Sequence, residues 1–143
     1  MYFEELELGK SYDLEEVVIT KEQMLSFAAQ YDPLPLHTDE EYARSTKFGA
    51  LIAPGVMSFM LVWKQFLALD LYGAQTVAGK STKMEWFLPV YEGDALKGTA
   101  TITRKEERNP YNGLVEVTVD IYNQKGELAL RDWTETVVMR KPK

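Results

Sequence analysis

A run of sixteen uncharged residues, Phe48 to Trp63, constrains the fold of this chain more than any other part of its sequence. Pro54 and Gly55 interrupt the run, and the pattern predicts a helix from there to about Tyr72 with apolar residues on nearly all sides. Such a helix is buried on most of its circumference. A helix that spans a bilayer needs about 20 apolar residues, so the run predicts a core helix and no membrane partner.

The second half of the chain has the pattern of four β-strands, over residues 80–91, 95–104, 115–121 and 127–139. In the third, apolar residues such as Val117 alternate with polar ones such as Thr118, which is the period of a half-exposed strand. Turn sequences rich in glycine, asparagine and aspartate separate the strands, so we expect an antiparallel meander. Pro89 in the first strand indicates a bulge or a sheet edge.

The first half combines a strand with short helices. A strand is predicted over 11–19, and Thr20 and Gln23 form the capping box of a helix over 21–30. Thr38 is the expected cap of a second, shorter helix. Because one long apolar helix needs a sheet to cover it, the pattern predicts an α+β fold, a curved antiparallel β-sheet wrapped around a long central α-helix.

Size, charge and composition set further limits. A chain of 143 residues with 45% hydrophobic content makes one compact domain over 1–143. The net charge of −6, without a basic run, argues against nucleic acid as a partner. With no cysteine and one histidine, neither a thiol nucleophile nor a multi-histidine metal site is expected. The N-terminus lacks the pattern of a signal peptide, so the cytoplasm is the expected location.

The single histidine lies in a segment that proline makes rigid. Asp32 and His37 are five positions apart, with Pro33 and Pro35 between them. Proline restricts its own backbone and that of the residue before it. A carboxylate and an imidazole can act as base and acid near neutral pH, so this pair is the candidate catalytic site. The alternative is a loop cap beside a surface histidine, and the two residues share a site only if the segment bends.

The order of these residues resembles the MaoC-like dehydratase and (R)-specific enoyl-CoA hydratase family, which has the hotdog fold. The family's loop signature is matched at Asp32, Pro35, Leu36, His37 and Ala43. Two later stretches are similar as well, at the start of the central helix and in the following strand and turn: Phe48-Gly49 with Gly55, and 87–90 with Gly93-Asp94. The resemblance covers nearly the whole chain.

The resemblance implies addition of water to a trans-2-enoyl thioester of CoA or acyl carrier protein, or the reverse dehydration, without a cofactor. Asp32 would deprotonate the water, His37 would protonate the α-carbon, and the Gly55 N–H would hold the thioester oxygen. A glycine at a helix start offers unpaired N–H groups to a ligand, which supports that role independently. The alternative is that Pro54-Gly55 only marks the helix start. The family forms its acyl tunnel between protomers, so a homodimer is implied.

Two positions depart from the family's pattern. Leu34 stands where the family has asparagine, and Pro54 stands where many members have a histidine before the glycine. Leucine cannot form the hydrogen bonds of an amide. Leu34, Pro54 and Ser58 are the candidate substrate-binding residues. The alternative for Ser58 is a hydroxyl that bonds back to the preceding helical turn.

Other side chains keep two interpretations. Asp39 and Glu40 follow Thr38 and are expected to be helix-start acids rather than catalytic bases. Large aromatic residues are expected in the core or an interface, with an acyl-pocket lining as the alternative: Tyr31, Trp63 and Trp86. Basic residues that could meet CoA phosphates are not ranked by the sequence: Arg44, Lys47, Lys64 and Lys83.

Two other functions compete with the hydratase hypothesis. The first is a non-catalytic hotdog protein that binds acyl thioesters, which the missing asparagine favours. The second is a thioesterase, whose carboxylate in this fold usually lies on the central helix. Here that helix holds no acid before Asp70, which argues against a thioesterase.

Overall fold

The computed structural model describes all residues from 1 to 143 and has the predicted α+β class. Its helices are α1 (Lys21–Tyr31), α2 (Pro35–Thr38), α3 (Glu40–Ser45) and α4 (Gly55–Ala68). Its strands are β1 (Ser11–Asp13), β2 (Val17–Val18), β3 (Thr76–Trp86), β4 (Ala95–Glu107), β5 (Asn112–Tyr122) and β6 (Leu128–Met139). Short 3₁₀ turns lie at Phe3–Glu5 and Gly73–Gln75. None of the helices combines the length and the apolarity that a membrane span requires.

The strands form one antiparallel sheet in the order β1-β4-β5-β6-β3, and β2 also pairs with β4. β4, β5 and β6 make the expected meander. The expected hairpin around Gly93 is wrong, because β3 pairs with β6 at the far edge of the sheet. β3 ends at Trp86, and the N–H groups of Phe87 and Leu88 still donate to Ala129 of β6 before the chain leaves the sheet. The N–H of Ala53 then donates to the carbonyl of Val90 at 2.7 Å. Pro89 therefore lies in a crossing segment beside the start of α4, outside any strand.

The central helix α4 packs against the concave face of this sheet. Its buried residues share one hydrophobic core with inward-facing residues of β4 and β5: Met57, Phe59, Val62 and Phe66 with Leu96, Ala100, Ile102, Val115, Val117, Val119 and Ile121. α4 ends earlier than predicted. Asp70 has a φ of 53°, the left-handed region, and an α-helix cannot continue through that conformation.

The burial predicted for most of the helix surface is wrong for the single chain. Val56, Met60 and Leu67 of α4 are exposed. β3 is exposed along nearly its whole length as well, because it has a neighbour on one side only. An apolar helix face and a free sheet edge therefore lie on the surface of the single chain.

In the first half of the chain, the structure confirms the predicted helix but divides the predicted strand in two. The N–H of Gln23 donates to Thr20 Oγ1 at 3.2 Å and the N–H of Thr20 donates to Gln23 Oε1 at 3.1 Å, which confirms the capping box. The predicted strand over 11–19 is two short strands, β1 and β2, on either side of the buried Leu14. The short helix α3 is capped by Asp39 and not by the predicted Thr38, because Asp39 Oδ1 accepts the N–H of Tyr42 at 3.1 Å.

Candidate active site

The segment between α1 and α3 bends, and the bend brings Asp32 and His37 together. Asp32 ends α1, where its N–H still donates to Ala28 at 2.9 Å. Pro35 then opens α2, a single helical turn in which the N–H of His37 donates to the carbonyl of Leu34 at 2.8 Å. Proline favours the first position of a helix because its missing N–H would have no partner there. As a result, Asp32 Oδ2 lies 3.4 Å from His37 Nε2.

A hydrogen bond on the other ring nitrogen fixes the orientation of His37. Nδ1 lies 2.7 Å from the carbonyl oxygen of Ile52. Because a carbonyl oxygen only accepts, Nδ1 carries a hydrogen there and Nε2 is the atom that gains or loses a proton. The imidazole is buried, with 7% of its side chain exposed, whereas 40% of the Asp32 side chain is exposed. Nε2 therefore meets a carboxylate that solvent and substrate can reach.

The start of α4 faces the same space. Pro54 is the N-cap residue and has no side-chain cap, so the first N–H groups of the helix lack an acceptor within the helix. The indole of Trp86 packs directly on Gly55: a Cβ atom at this position would lie 2.2 Å from Trp86 Nε1. Only glycine fits beneath the indole. This contact supplies a packing reason for Gly55 that the sequence does not show.

These groups line one cavity of about 440 Å³. Asp32, His37, Gly55 and Ser58 are joined there by mainly apolar walls: Phe48, Ile52, Ala53, Val56, Trp86, Phe87, Leu88, Pro89 and Val90. The volume lies in the range of small-molecule sites, and an apolar wall with a few convergent polar groups is the usual composition of such sites. Trp86 and Phe87 come from the end of β3 and the segment after it, so the strand that leaves the sheet also closes this cavity.

Ser58 is the polar group of the cavity that lacks a partner. Its side chain is fully buried, and its hydroxyl makes no hydrogen bond to the protein. The expected bond back to the preceding turn is therefore absent, although the N–H of Ser58 donates to Pro54 at 3.2 Å. A buried hydroxyl without a partner costs about 1–3 kcal/mol, which a ligand or a water could offset.

Two residues predicted to bind substrate lie outside this cavity lining. The Leu34 side chain is half exposed, and its carbonyl accepts from the N–H of His37 and, at 3.1 Å, from the Thr38 hydroxyl. Pro54 contributes its carbonyl to Ser58. Both positions therefore shape the backbone around the catalytic candidates, and neither side chain is among the groups that line the site.

Of four other candidates, three lie outside the lining of this cavity and one forms part of it. Glu40 forms an ion pair with Lys21, which lowers the pKa of the Glu40 carboxyl. Trp63 stacks between Phe59 and Phe66, and Tyr31 is exposed. Trp86, placed by the sequence mainly in a core or an interface, instead lines the cavity.

The model of the MaoC like domain matches residues 4–124 of this chain. The chain belongs to the MaoC-like family. This match confirms the resemblance seen in the sequence and the predicted fold class. Membership of the family supports hydration or dehydration of enoyl thioesters as the general class of reaction.

Three similar proteins show the range of this MaoC-like family. The (R)-specific enoyl-CoA hydratase of Rhodospirillum rubrum is 30% identical over 103 residues, which cover 71% of this chain and 69% of that protein. The uncharacterized protein YdeM of Bacillus subtilis is 28% identical over 126 residues, 87% of this chain and 89% of YdeM. The crystal structure of the MaoC-like dehydratase from Rhodospirillum rubrum superposes with a TM-score of 0.90 at 30% identity, covering 100% of this chain and 99% of that one.

Proposed function

We propose that this MaoC-like protein interconverts a trans-2-enoyl thioester and a 3-hydroxyacyl thioester, carried by CoA or by an acyl carrier protein. The observation that carries the proposal is the placement of Asp32 and His37 Nε2, 3.4 Å apart, in one cavity with the start of α4. A base, an acid and a set of unpaired N–H donors are the three groups that addition of water to a conjugated thioester needs. The similarity to an enoyl-CoA hydratase supports the same reaction.

In the hydration direction, Asp32 removes a proton from a water molecule as the water oxygen bonds to the β-carbon. The electron pair of the double bond moves toward the thioester, and the Gly55 N–H stabilises the negative charge on its oxygen. The α-carbon then takes a proton from Nε2 of His37, which completes the addition of water. The proton on Asp32 passes back to Nε2 across the short gap between them, and both groups return to their starting states. Dehydration runs through the same steps in reverse.

Ser58 and Trp86 complete the proposed site. The free hydroxyl of Ser58 can donate to the thioester group, a contact that the half-exposed Leu34 cannot make. Trp86 covers Gly55 and forms an apolar wall over the reacting carbons. Excluding water at this wall strengthens the interaction of the N–H groups with the developing charge.

We also propose that the active form is a homodimer. The free edge of β3 offers unpaired backbone groups, and the adjacent α4 offers the apolar side chains of Val56, Met60 and Leu67. Such an edge and such a patch are usually covered by another chain. Light scattering should give about twice the monomer mass of 16.4 kDa. A monomer that still turns over substrate would contradict this part of the proposal.

A second candidate function is binding of acyl thioesters without turnover. Leu34 favours it, because an amide at this position is part of the family's signature. The thioesterase alternative gains nothing from the structure, since α4 carries no acidic residue. Ultraviolet absorbance of crotonyl-CoA tests the proposal, because hydration removes the conjugated band of the enoyl thioester. Loss of the band on adding the protein supports hydration, and binding with an unchanged band supports the second candidate.

A further inference from the structure

The loop that joins α3 to α4 is held at both ends by the segment that follows β3. At the start of the loop, the hydroxyl of Tyr91 donates to the carbonyl of Phe48 at 2.9 Å. At its end, the N–H of Ala53 donates to the carbonyl of Val90 at 2.7 Å, and Ile52 lies opposite Tyr91 in an isolated antiparallel bridge. Tyr91 therefore contacts this loop through both its side chain and its backbone.

The same loop holds the imidazole of the candidate active site. The carbonyl oxygen of Ile52 accepts from Nδ1 of His37 over 2.7 Å, and the N–H of Ile52 donates to the carbonyl of Leu36 at 3.4 Å. On the other side of the ring, Nε2 lies 3.4 Å from Asp32 Oδ2. The direction in which Nε2 points therefore depends on where the loop places the Ile52 carbonyl.

Tyr91 is itself fixed to the end of the sheet. Its N–H donates to Asp94 Oδ2 at 2.9 Å, and the N–H of Asp94 donates back to the carbonyl of Tyr91 at 3.1 Å. Gln124, in the turn between β5 and β6, donates to Asp94 Oδ1 at 2.9 Å and accepts the N–H of Ala95 at 3.1 Å. A side chain with such a fixed backbone can hold a loop that has no helix or strand of its own.

The hydroxyl of Tyr91 lies outside the active-site cavity. Tyr91 is not among the residues that line the cavity, whereas Phe48 and Ile52 of the loop are. Tyr91 is thus one contact away from the wall of the site and two contacts away from the ring of His37. An effect of this hydroxyl on the reaction would have to pass through the loop.

We propose that Tyr91 is a positioning residue for His37. Its hydroxyl fixes the loop, and the Ile52 carbonyl of that loop keeps one ring hydrogen on Nδ1 and directs Nε2 toward Asp32. The inference rests on the proposed function, in which Nε2 gives its proton to the α-carbon. Without the bond to Phe48 the start of the loop is released, the Ile52 carbonyl holds Nδ1 less firmly, and part of the neutral imidazole carries its hydrogen on Nε2 instead.

Nitrogen NMR tests this placement directly, because the chain has one histidine. In untagged protein labelled with ¹⁵N-histidine, the ring signals come from His37 alone. Ring nitrogens with and without a hydrogen resonate far apart, so at a pH where the ring is neutral the two shifts report which nitrogen carries it. The wild type should hold the hydrogen on Nδ1, and Tyr91→Phe should move the two shifts toward each other. Shifts identical to those of the wild type overturn the inference.

A double-mutant cycle tests whether Tyr91 acts through His37. Tyr91→Phe should lower kcat for crotonyl-CoA by about three- to tenfold and change KM by less than about twofold, because a misplaced acid slows the chemical step more than binding. In the His37→Ala protein the same substitution should change kcat by less than about twofold, since no imidazole remains to be positioned. An undiminished loss in that background, or a wild-type kcat for Tyr91→Phe alone, overturns the inference.

Tyr12→Phe is the matched control. It removes a hydroxyl from a partly buried tyrosine of β1 that lies near Tyr72, beyond the far end of α4. This variant should keep the wild-type kcat and both ring shifts of His37. Tyr91→Phe should lower the thermal midpoint by about 4 °C, the effect of one hydrogen bond, so all assays are made well below the transition. Equal changes in the two variants would also overturn the inference.

The two readouts separate this inference from the proposed function. Hydration by the wild type, with no response of kcat or of the ring shifts to Tyr91→Phe, would remove the inference and leave the function intact. Absence of hydration, with ring shifts that still respond to Tyr91→Phe, would remove the function and leave the positioning of His37 in place.

Discussion

The two aspartates Asp32, at the end of α1, and Asp132, on β6, have surroundings that differ in the features that proton transfer requires. Asp32 is partly exposed and faces Nε2 of His37, a ring nitrogen whose partner nitrogen is held by the carbonyl of Ile52. Asp132 is fully buried and bonds two threonine hydroxyls, which do not change their charge near neutral pH. A carboxyl can act in catalysis when it has a partner that exchanges protons and when substrate can reach it. Burial without these two features gives a carboxyl a structural role only.

The largest expected effect comes from the catalytic pair. Asp32→Asn and His37→Ala should each lower kcat/KM by about 100-fold or more, the usual contribution of a general base or acid. The thermal midpoint of Asp32→Asn should move little, because Asp32 is partly exposed at a helix end. His37→Ala should lower the midpoint, because it removes a buried ring and its hydrogen bond to the carbonyl of Ile52. Steady-state rates on crotonyl-CoA and thermal melts of the same samples check this. Near wild-type rates from either folded variant would remove that residue from the mechanism.

Gly55→Ala should lower the rate by about tenfold or more, because the new Cβ collides with Trp86 and displaces the donors at the start of α4. Gly79→Ala is the matched control, since a Cβ there meets nothing within 4 Å. Steady-state rates and melting curves are measured for both variants, so that a loss of activity can be distinguished from a loss of stability. A Gly55→Ala protein as active as the Gly79→Ala protein would show that the Trp86 contact does not position the site.

Ser58→Ala should have a smaller effect, about three- to tenfold on kcat/KM, from the loss of one hydrogen bond to the thioester. The free energy of unfolding should stay the same or rise, because the substitution removes a buried hydroxyl that has no partner. Chemical denaturation and steady-state kinetics give the two values. A large loss of stability would show that the hydroxyl has a structural partner in the folded protein.

Asp132→Asn should leave hydration of crotonyl-CoA nearly unchanged and should alter how stability depends on pH. The raised pKa of Asp132 means that the folded state keeps a proton that the unfolded chain has lost. This group therefore stabilises the fold below its unfolded pKa and loses that contribution as the pH rises through the folded pKa. The variant cannot lose a proton, so its stability relative to wild type should increase from pH 4 to pH 7. A constant difference over that range would argue against the raised pKa.

The parts of the fold that depend on local pattern are predictable from the sequence. The capping box of Thr20 and Gln23 is contained in four residues, and the meander of β4, β5 and β6 follows from alternation and turns. The pairing of β3 with β6 was not predictable in this way. It depends on a crossing segment after Trp86 that has the same composition as a strand with a bulge.

The candidate active site likewise has some features that local sequence predicts and others that depend on tertiary structure. The proline-rich segment indicated Asp32 and His37, but their approach to 3.4 Å depends on the α2 turn, which the sequence suggested only as a rigid loop. Trp86 is adjacent to Gly55 only through the path of β3, so no local signal could place it there. Likewise, no local pattern could show that the Ser58 hydroxyl lacks a partner at the cavity wall or that the Leu34 side chain lies outside that cavity.

The central claim is that Asp32 and His37 add water across an enoyl thioester, and one experiment tests it directly. Crotonyl-CoA is incubated with the protein in D2O, and the products are identified by mass spectrometry. The account predicts a 3-hydroxybutyryl thioester that carries one deuterium on its α-carbon, and much less of it from His37→Ala. Unchanged crotonyl-CoA that remains bound to the protein would contradict the claim and favour a binding function, and release of free CoA would contradict it in favour of a thioesterase.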